Sequence, residues 1–292
     1  MLNYLRIKPY VAMNKLPLEK RAAILTLLVE GNSLRSCSRI AKVSINTVSK
    51  LLRDVGRACL KFHSRMVVKI RCHLVEVDEI WSYVYSKQKN TPADRKEAGD
   101  VWTWVAIDPD TKLIISWYAG LRDIDSAKFF MNDLWRRIAT RIQLSTDGFS
   151  AYPEAVADTF GGKVDFAQLV KIYGGKPDDS GERRQGRYKG AKKRVISGKP
   201  DLKFTTTAHV ERQNLTMRMC IRRFGRRTNA FSKRLEYHRL AIALHYVYYN
   251  FVRIHQTLRV TPAMRAGLIK RFMTIEEVAK FADNFGNAGL CQ

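Results

Sequence analysis

Three acidic residues in this chain sit in local sequence that suits a carboxylate aimed into a cleft: Asp78, Asp147 and Glu211. Asp78 lies inside an apolar run, His-Leu-Val-Glu-Val-Asp-Glu-Ile-Trp (73–81), and Asp147 ends another, Ile-Gln-Leu-Ser-Thr-Asp-Gly (142–148). Glu211 opens a long arginine-rich stretch that begins His-Val-Glu-Arg-Gln-Asn-Leu (209–215). Carboxylate oxygens are the ligands that hard divalent cations prefer. Two strand-borne Asp residues and one helix-borne Glu, meeting at the carboxyl edge of a sheet, could hold two such ions about 4 Å apart. That arrangement polarises a phosphodiester, generates hydroxide from water and stabilises the leaving oxygen. Crowded together without metal, the same carboxylates repel and raise one another's pKa.

Each acid also has a plainer reading. Asp is disfavoured in a central strand, so Asp78 is either a guard on an edge strand or a ligand. Period-two alternation puts Glu76 and Asp78 on one face of that strand and Glu79 on the other. Asp147-Gly148 alone reads as a turn pair, and Glu211 alone complements a helix dipole. Asp108 and Asp110 read as turn residues. The set of three carries more weight than its members, because the chain around it is strongly basic.

Lys and Arg outnumber Asp and Glu by 52 to 27 over 292 residues, a formal charge of +25. Phosphate neutralisation makes nucleic acid the expected partner of such an excess. An anionic membrane is the rival, but no apolar run approaches the roughly 20 residues that a membrane span requires, and the first residues lack the long apolar core of a secretory signal. The five cysteines (37, 59, 72, 220, 291) are scattered and form no Cys-x-x-Cys pair, which argues against a disulfide framework or zinc finger and for a reducing cytoplasm.

The elements that must position the acids follow from periodicity. Residues 17–65 read as helices: Leu18–Glu30, a break at Gly31-Asn32-Ser33, a short helix over 33–42, a turn at 43–46, then a third helix starting at Asn46 or Thr47. Two short helices with polar residues opening the second fit a helix-turn-helix. Segment 1–70 carries fourteen Lys/Arg against three acids, a net +11. Asn46, Thr47, Lys50 and Arg53 are its candidate DNA contacts; a helical oligomerisation bundle with a solvated basic face is the alternative. Strands are expected at 73–85, 101–107 and 113–119, the last two joined as a hairpin by Asp-Pro-Asp-Thr. A helix over 125–141, a strand over 142–145 and a helix near 150–158 follow. This is the order of an α/β mixed sheet flanked by helices. Residues 160–205 read as a flexible or partly ordered basic loop, with eight basic residues and no acid from Arg183 to Lys199. Within it Arg183, Arg184, Arg187, Lys192, Lys193 and Arg194 are candidate phosphate contacts. Helical periodicity resumes at Thr207 and runs to about Phe251, with a break around 227–230. Arg218 falls two turns after Glu211 on the same face. Arg212, Arg222, Arg223, Arg226 and Arg227 extend the basic surface, for which a solvated helix face is the plainer reading.

These motifs resemble those of the insertion-sequence-one family of bacterial transposases. The resemblance rests on Thr-Ala-His-Val-Glu-Arg-Gln-Asn-Leu-Thr-Met-Arg (207–218) and the Arg-Arg-Thr-x-x-Phe-Ser at 226–232. Tyr-Asn-Phe-Val-Arg-Ile-His-Gln-Thr-Leu-Arg-Val-Thr-Pro (249–262) is similar to an ending shared among DDE transposases. Val-Asp-Glu-Ile-Trp (77–81) and Ser-Thr-Asp-Gly-Phe-Ser-Ala-Tyr (145–152) are similar to the two Asp motifs. It covers roughly 73–262 and implies an RNase H-like mixed-sheet catalytic core, with Asp78, Asp147 and Glu211 as catalytic ligands of Mg2+ or Mn2+. Arg218 would fill the family's downstream basic position. It further implies terminal inverted repeats and target DNA as partners, a homodimer or larger synaptic assembly, and a cytoplasmic, nucleoid-associated protein. Relatives often begin with a cysteine zinc finger; this chain does not, which leaves end recognition to the helix-turn-helix.

The expected organisation is therefore an all-α helix-turn-helix domain over 1–68, an RNase H-like domain over 69–260 with a basic insertion at about 160–205, and a helical tail over 261–292. Two other readings stay open. His209-x-x-Arg212 is also the His-x-x-Arg box of tyrosine recombinases, with Tyr237, Tyr246, Tyr248 and Tyr249 downstream as nucleophiles and no metal required. A non-catalytic helix-turn-helix DNA-binding protein is the second.

Overall fold

The chain is described by a computed structural model over residues 15–174, 187–226 and 228–285. Short polar caps set the first helices. α1 (Leu18–Val29) gives way at Gly31 to α2 (Leu34–Ala41), which starts where the Ser33 hydroxyl accepts the amide of Ser36. Lys42 then adopts a left-handed conformation, and Ser44 caps the 22-residue α3 (Ile45–Met66) by accepting the amide of Thr47. The helix therefore begins one residue before the expected Asn46.

Apolar alternation then builds β1 (Leu74–Val84), β2 (Gly99–Ile107) and β3 (Ile114–Gly120). The turn between the last two forms as Asp108 accepts the Asp110 amide and the Thr111 hydroxyl. α4 (Ile124–Arg137), β4 (Ile142–Asp147) and α5 (Tyr152–Phe160) follow. The basic segment does not remain a loop. Val164–Gly174 forms β5 and Arg187–Ser197 forms β6, paired antiparallel, while residues 175–186 lie outside the described chain. The pattern hides this ribbon because β6 is largely exposed on both faces, so no apolar alternation marks it. Ladder hydrogen bonds to β5 hold it instead.

The six strands form one mixed sheet in the order β3-β2-β1-β4-β5-β6. β1 and β2 pair antiparallel, as do β2 and β3, whereas β4 lies parallel to both β1 and β5. This mixed α/β architecture is consistent with an RNase H-like core. On one face, α4 and α5 cover Trp104, which is fully buried with Phe130, Phe149 and Tyr152 at ring separations of 5.6–6.0 Å. On the other lies α6 (Ala208–Cys220), packed on β1 and β2. The break after α6 spans Ile221–Arg234, earlier and longer than expected, before α7 (Leu235–Val247) and a single π turn over Tyr248–Val252. In that turn the buried Asn250 amide bonds both the N–H and the C=O of Ile114, satisfying the backbone of edge strand β3.

Beyond 261 come α8 (Pro262–Arg265) and α9 (Ile275–Phe285). α9 packs against α1 and α3, and Arg21 bonds both oxygens of Asp283 and the carbonyl of Ala279. The long α3 in turn packs along α7. Their closest approach is at Gly56, where a Cβ would stand 2.8 Å from Leu240 Cβ and 2.9 Å from its carbonyl oxygen. Gly56→Val should therefore separate these helices and destabilise the fold by about 1–3 kcal/mol, measured by urea unfolding. Unchanged stability would show that the crossing is loose.

Candidate active site

The sheet register brings the two aspartates together. β1 and β4 are parallel, with Val77 opposite Thr146, so the next residue on each strand is Asp78 and Asp147. Asp147 ends β4 and Asp78 lies within β1 one residue past the last β1–β4 pair, so both flank the carboxyl end of β4, the kind of place where ligand sites of open α/β sheets collect. Asp147 is the last residue of β4 rather than part of a free turn, and its Oδ1 accepts the amide of Phe149 at 3.0 Å. Carboxylate oxygens of Asp78, Asp147 and Glu79 lie within 4.8 Å of one another.

Glu79 was placed by alternation on the far face, and its bonding agrees. Its Oε1 accepts from Arg122 at 2.7 Å, and its Oε2 accepts the Tyr152 hydroxyl at 2.7 Å beneath α5. With both oxygens engaged, Glu79 suits an anchoring role better than metal ligation. Arg122 is the counter-charge of the cleft. Its guanidinium lies 3.9 Å from Asp147 Oδ2 and 4.1 Å from the centre of the Phe149 ring. Nothing in the local sequence marks Arg122, which sits in the short link between β3 and α4.

The third acid arrives on α6, and a buried glutamate on β1 sets where that helix starts. Glu76, 2% exposed, accepts the backbone amides of His209 (2.8 Å) and Val210 (3.1 Å) through Oε2, and its Oε1 lies 2.7 Å from His209 Nδ1. A carboxylate here satisfies first-turn amides that would otherwise be orphaned and complements the helix dipole. It fixes Asn214 against the cleft, where its Nδ2 donates to Asp78 Oδ2 at 2.9 Å. Glu211 lies three residues earlier on the same helix face. Its Oε1 accepts from Lys171 Nζ and from the Thr207 hydroxyl, both at 2.5 Å. Glu211 is thus outside the mutually close set of oxygens, yet near enough that its charge raises the pKa of Asp78 and Asp147. Sequence reasoning found Asp78, Asp147 and Glu211 and missed Glu76, Lys171 and Asn214. The period-two rule does place Glu76 on the Asp78 face, which was the available signal.

Burial dominates the electrostatics. It pushes the Asp78 carboxyl up to about 8, with help from Glu79 and Asp147. Burial also raises Asp147, opposed by the Phe149 amide and by Arg122 and Lys171. Glu79 is raised by burial and by Asp147, against the Tyr152 and Arg122 bonds. The donor set fits a hard divalent cation: paired carboxylates, plus the Asn214 Oδ1 amide oxygen, which is buried with no hydrogen-bond partner.

The candidate DNA contacts fall into distinct environments. Asn46, Lys50, Arg187, Lys192, Lys193, Arg194, Arg212, Arg222 and Arg226 are exposed. Thr47 is engaged in the Ser44 cap, and Arg53 pairs with Asp54. Arg218 is half-buried and donates to the carbonyl of Phe224, and Arg223 bonds Ser232 Oγ and the carbonyl of Tyr237. Arg183, Arg184 and Arg227 lie outside the described residues. No helix among the described residues is long and apolar enough to cross a membrane.

No protein-family model and no curated protein matches this sequence. Among solved structures, the chain is similar to a Mos1 transposase paired-end complex with the left transposon end. The identity is 14%, over 55% of this chain and 61% of that one, with a TM-score of 0.23. It is also similar to a piggyBac transposase synaptic complex with hairpin DNA, at 8% identity over 94% of this chain and 73% of that one, with a TM-score of 0.40. The match thus spans about three fifths of the Mos1 chain, 61%. Likenesses this distant carry no functional weight here.

Two measurements test this geometry. Glu76→Ala leaves the first amides of α6 unpaired and should cost about 1–3 kcal/mol in urea unfolding. Asp78 titrates from its ordinary value near 3.8 to about 8 on folding. Between those values the folded state holds a proton on Asp78 that the unfolded state has lost, so this group's contribution to stability falls as pH rises, by at most about 1.4 kcal/mol per pH unit. Asp78→Asn should remove this contribution in metal-free protein, so the stability of the variant relative to the parent rises with pH, and an unchanged slope between pH 5 and 8 would contradict the buried carboxyl.

Proposed function

We propose that this chain is a DDE-type DNA transposase of the insertion-sequence-one kind. It would cleave the ends of its element and join the freed 3′-OH to target DNA by metal-dependent phosphoryl transfer. The observation that carries the reading is the meeting of the Asp78 and Asp147 carboxylates, from the adjacent parallel strands β1 and β4, beneath the helix that bears Glu211. The motif resemblance and the charge of +25 support it.

Asp78, Asp147 and the Asn214 amide oxygen are the groups that would hold a divalent cation, Mg2+ or Mn2+, with Glu211 completing the set. Bound there, the cation supplies Lewis-acid polarisation of the phosphodiester and offsets charge on the departing oxygen. The protein's own residues prepare the site. Asp78, whose carboxyl burial raises to about 8, would have to be ionised to serve as a ligand, so metal affinity should rise with pH. Lys171, which holds Glu211 Oε1, would be the cation at hand to pair with a phosphate oxygen beside that carboxylate. Arg122 and Tyr152 engage both oxygens of Glu79, which would leave metal ligation to the aspartates.

On this reading α2 and α3 form a helix-turn-helix within residues 1–68 that recognises terminal inverted repeats. Residues 69–260 are the catalytic domain and 261–292 the helical tail. β6 and the Arg212–Arg227 region follow the DNA backbone, and two or more copies bring both ends together in a cytoplasmic, nucleoid-associated complex. The tyrosine-recombinase alternative is less well supported. His209 Nδ1 is engaged by Glu76, and Tyr246 is fully buried with its hydroxyl on Met217 Sδ.

The test is nicking of a supercoiled plasmid carrying the DNA that flanks the coding region. Cleavage should require Mg2+ or Mn2+ and stop in EDTA. Asp147→Asn should lower the rate at least about 100-fold while DNA affinity stays within roughly threefold. Nicking that persists in EDTA favours the tyrosine route, and specific binding without any nicking favours the non-catalytic regulator.

A further inference from the structure

A groove of about 1320 Å³ runs between the α1–α2 turn, the start of α3, the 221–234 segment and α7. None of the cleft acids lines it, and its lining among the described residues contains no Asp or Glu. Exposed Arg35, Arg222, Lys233 and Arg234 form its rim. Deeper in, the Arg223 guanidinium bonds only neutral acceptors, Ser232 Oγ at 3.1 Å and the Tyr237 carbonyl at 3.2 Å, and burial pushes its pKa down to about 10. One wall is fixed by close packing. Gly31 (φ +80°) sits where a Cβ would be 2.5 Å from the carbonyl oxygen of Met219, so the α1–α2 turn is pressed onto the end of α6.

The floor is unlike the rim. Leu52, Ala241 and Leu244 make it apolar, with Tyr237 half-buried beside them. His245, 2% exposed, lies among them with neither ring nitrogen hydrogen-bonded. Burial and Arg253 lower its pKa to about 3, so it is a neutral ring offering one donor and one acceptor. Cations gathered without a counter-charge select a polyanion. The volume exceeds the roughly 300–1,000 Å³ of small-molecule pockets, which favours an extended chain over a single small anion. A duplex keeps its base faces stacked and its pairing edges occupied. An unpaired base can lie on an aromatic ring and meet a buried donor and acceptor, the combination by which single strands are held.

We propose that this groove binds single-stranded nucleic acid, with phosphates on the Arg35–Arg222–Lys233–Arg234 rim and an unpaired base against Tyr237 and His245. The inference rests on the nucleic-acid partner proposed above but not on the chemistry of the cleft.

Fluorescence anisotropy in EDTA tests it with three labelled probes of about 20 nucleotides: an oligothymidylate, a blunt duplex and an abasic strand. The full chain carrying Lys233→Glu and Arg234→Glu should bind the oligothymidylate at least about tenfold more weakly and the duplex less than about threefold more weakly. A control with Lys270→Glu and Lys280→Glu, exposed positions outside the groove with the same charge change, should leave that difference absent. Tyr237→Ala should weaken the oligothymidylate several-fold and leave the abasic strand unaffected. Equal losses for duplex and single strand, an equal loss in the control, or Tyr237→Ala acting alike on both single strands would overturn the proposal. Displacement of the oligothymidylate by polyglutamate of matched charge would overturn it too, by pointing to an acidic protein. Because no metal is present, the outcome is independent of nicking: plasmid cleavage without groove selectivity rejects the groove alone, and selectivity without cleavage rejects the cleft chemistry alone.

Discussion

One buried carboxylate organises this molecule. Glu76 projects from the centre of the sheet and takes the leading amides of α6, so a helix more than 130 residues away in sequence is pinned to β1. The bond is charge-assisted and shielded from water, which makes it strong and directional. Everything that reaches the cleft from that side depends on it. Asn214 meets Asp78 and Glu211 meets Lys171 only because α6 begins at this height above the strands. A helix held solely by apolar contacts could slide or rotate by part of a turn, because apolar burial is not directional.

The cleft itself is a balance of like charges in a basic protein. Asp78, Glu79 and Asp147 stand close enough to raise one another, and burial removes the water that would screen them. Two internal cations answer this, one from each side: Arg122 on Glu79 and near Asp147, Lys171 on Glu211. Neither neutralises Asp78, which is left with an amide donor and its own proton. The site's unmet demand for positive charge is therefore centred on one side chain in the middle of the sheet.

Much of this was legible in the sequence where period and composition agree. The helices over 18–66 follow from apolar spacing, and strands β1 to β4 from their density of β-branched and aromatic residues, which the sheet buries on both faces. β5 and β6 were not legible as a ribbon. Both sides of β6 face water, and its run of Lys and Arg carries no alternation to read. Lys171 was lost with them, and with it the partner of Glu211. Arg122 escaped for a different reason: its role comes from the β3–α4 link crossing above the strand ends, a tertiary fact without local trace. Glu76 was noticed only as a neighbour of Asp78, since a cap supplied from across the fold leaves no capping signal at the helix it caps.

The two borders of the sheet are treated differently. At β3 the Asn250 side chain mimics a strand and closes the backbone of Ile114. At β6 no strand among the described residues pairs with the far side, and that hydrogen-bonding row lies beneath a fringe of lysines and arginines. Unprotected rows of this kind zip copies of a protein into aggregates. Here the fringe keeps identical molecules apart by repulsion, yet a polyanion laid along it removes that repulsion. On the proposed DNA-binding reading, crowding on a shared polyanion is thus the circumstance in which neighbouring copies would first come within reach of one another's exposed strand.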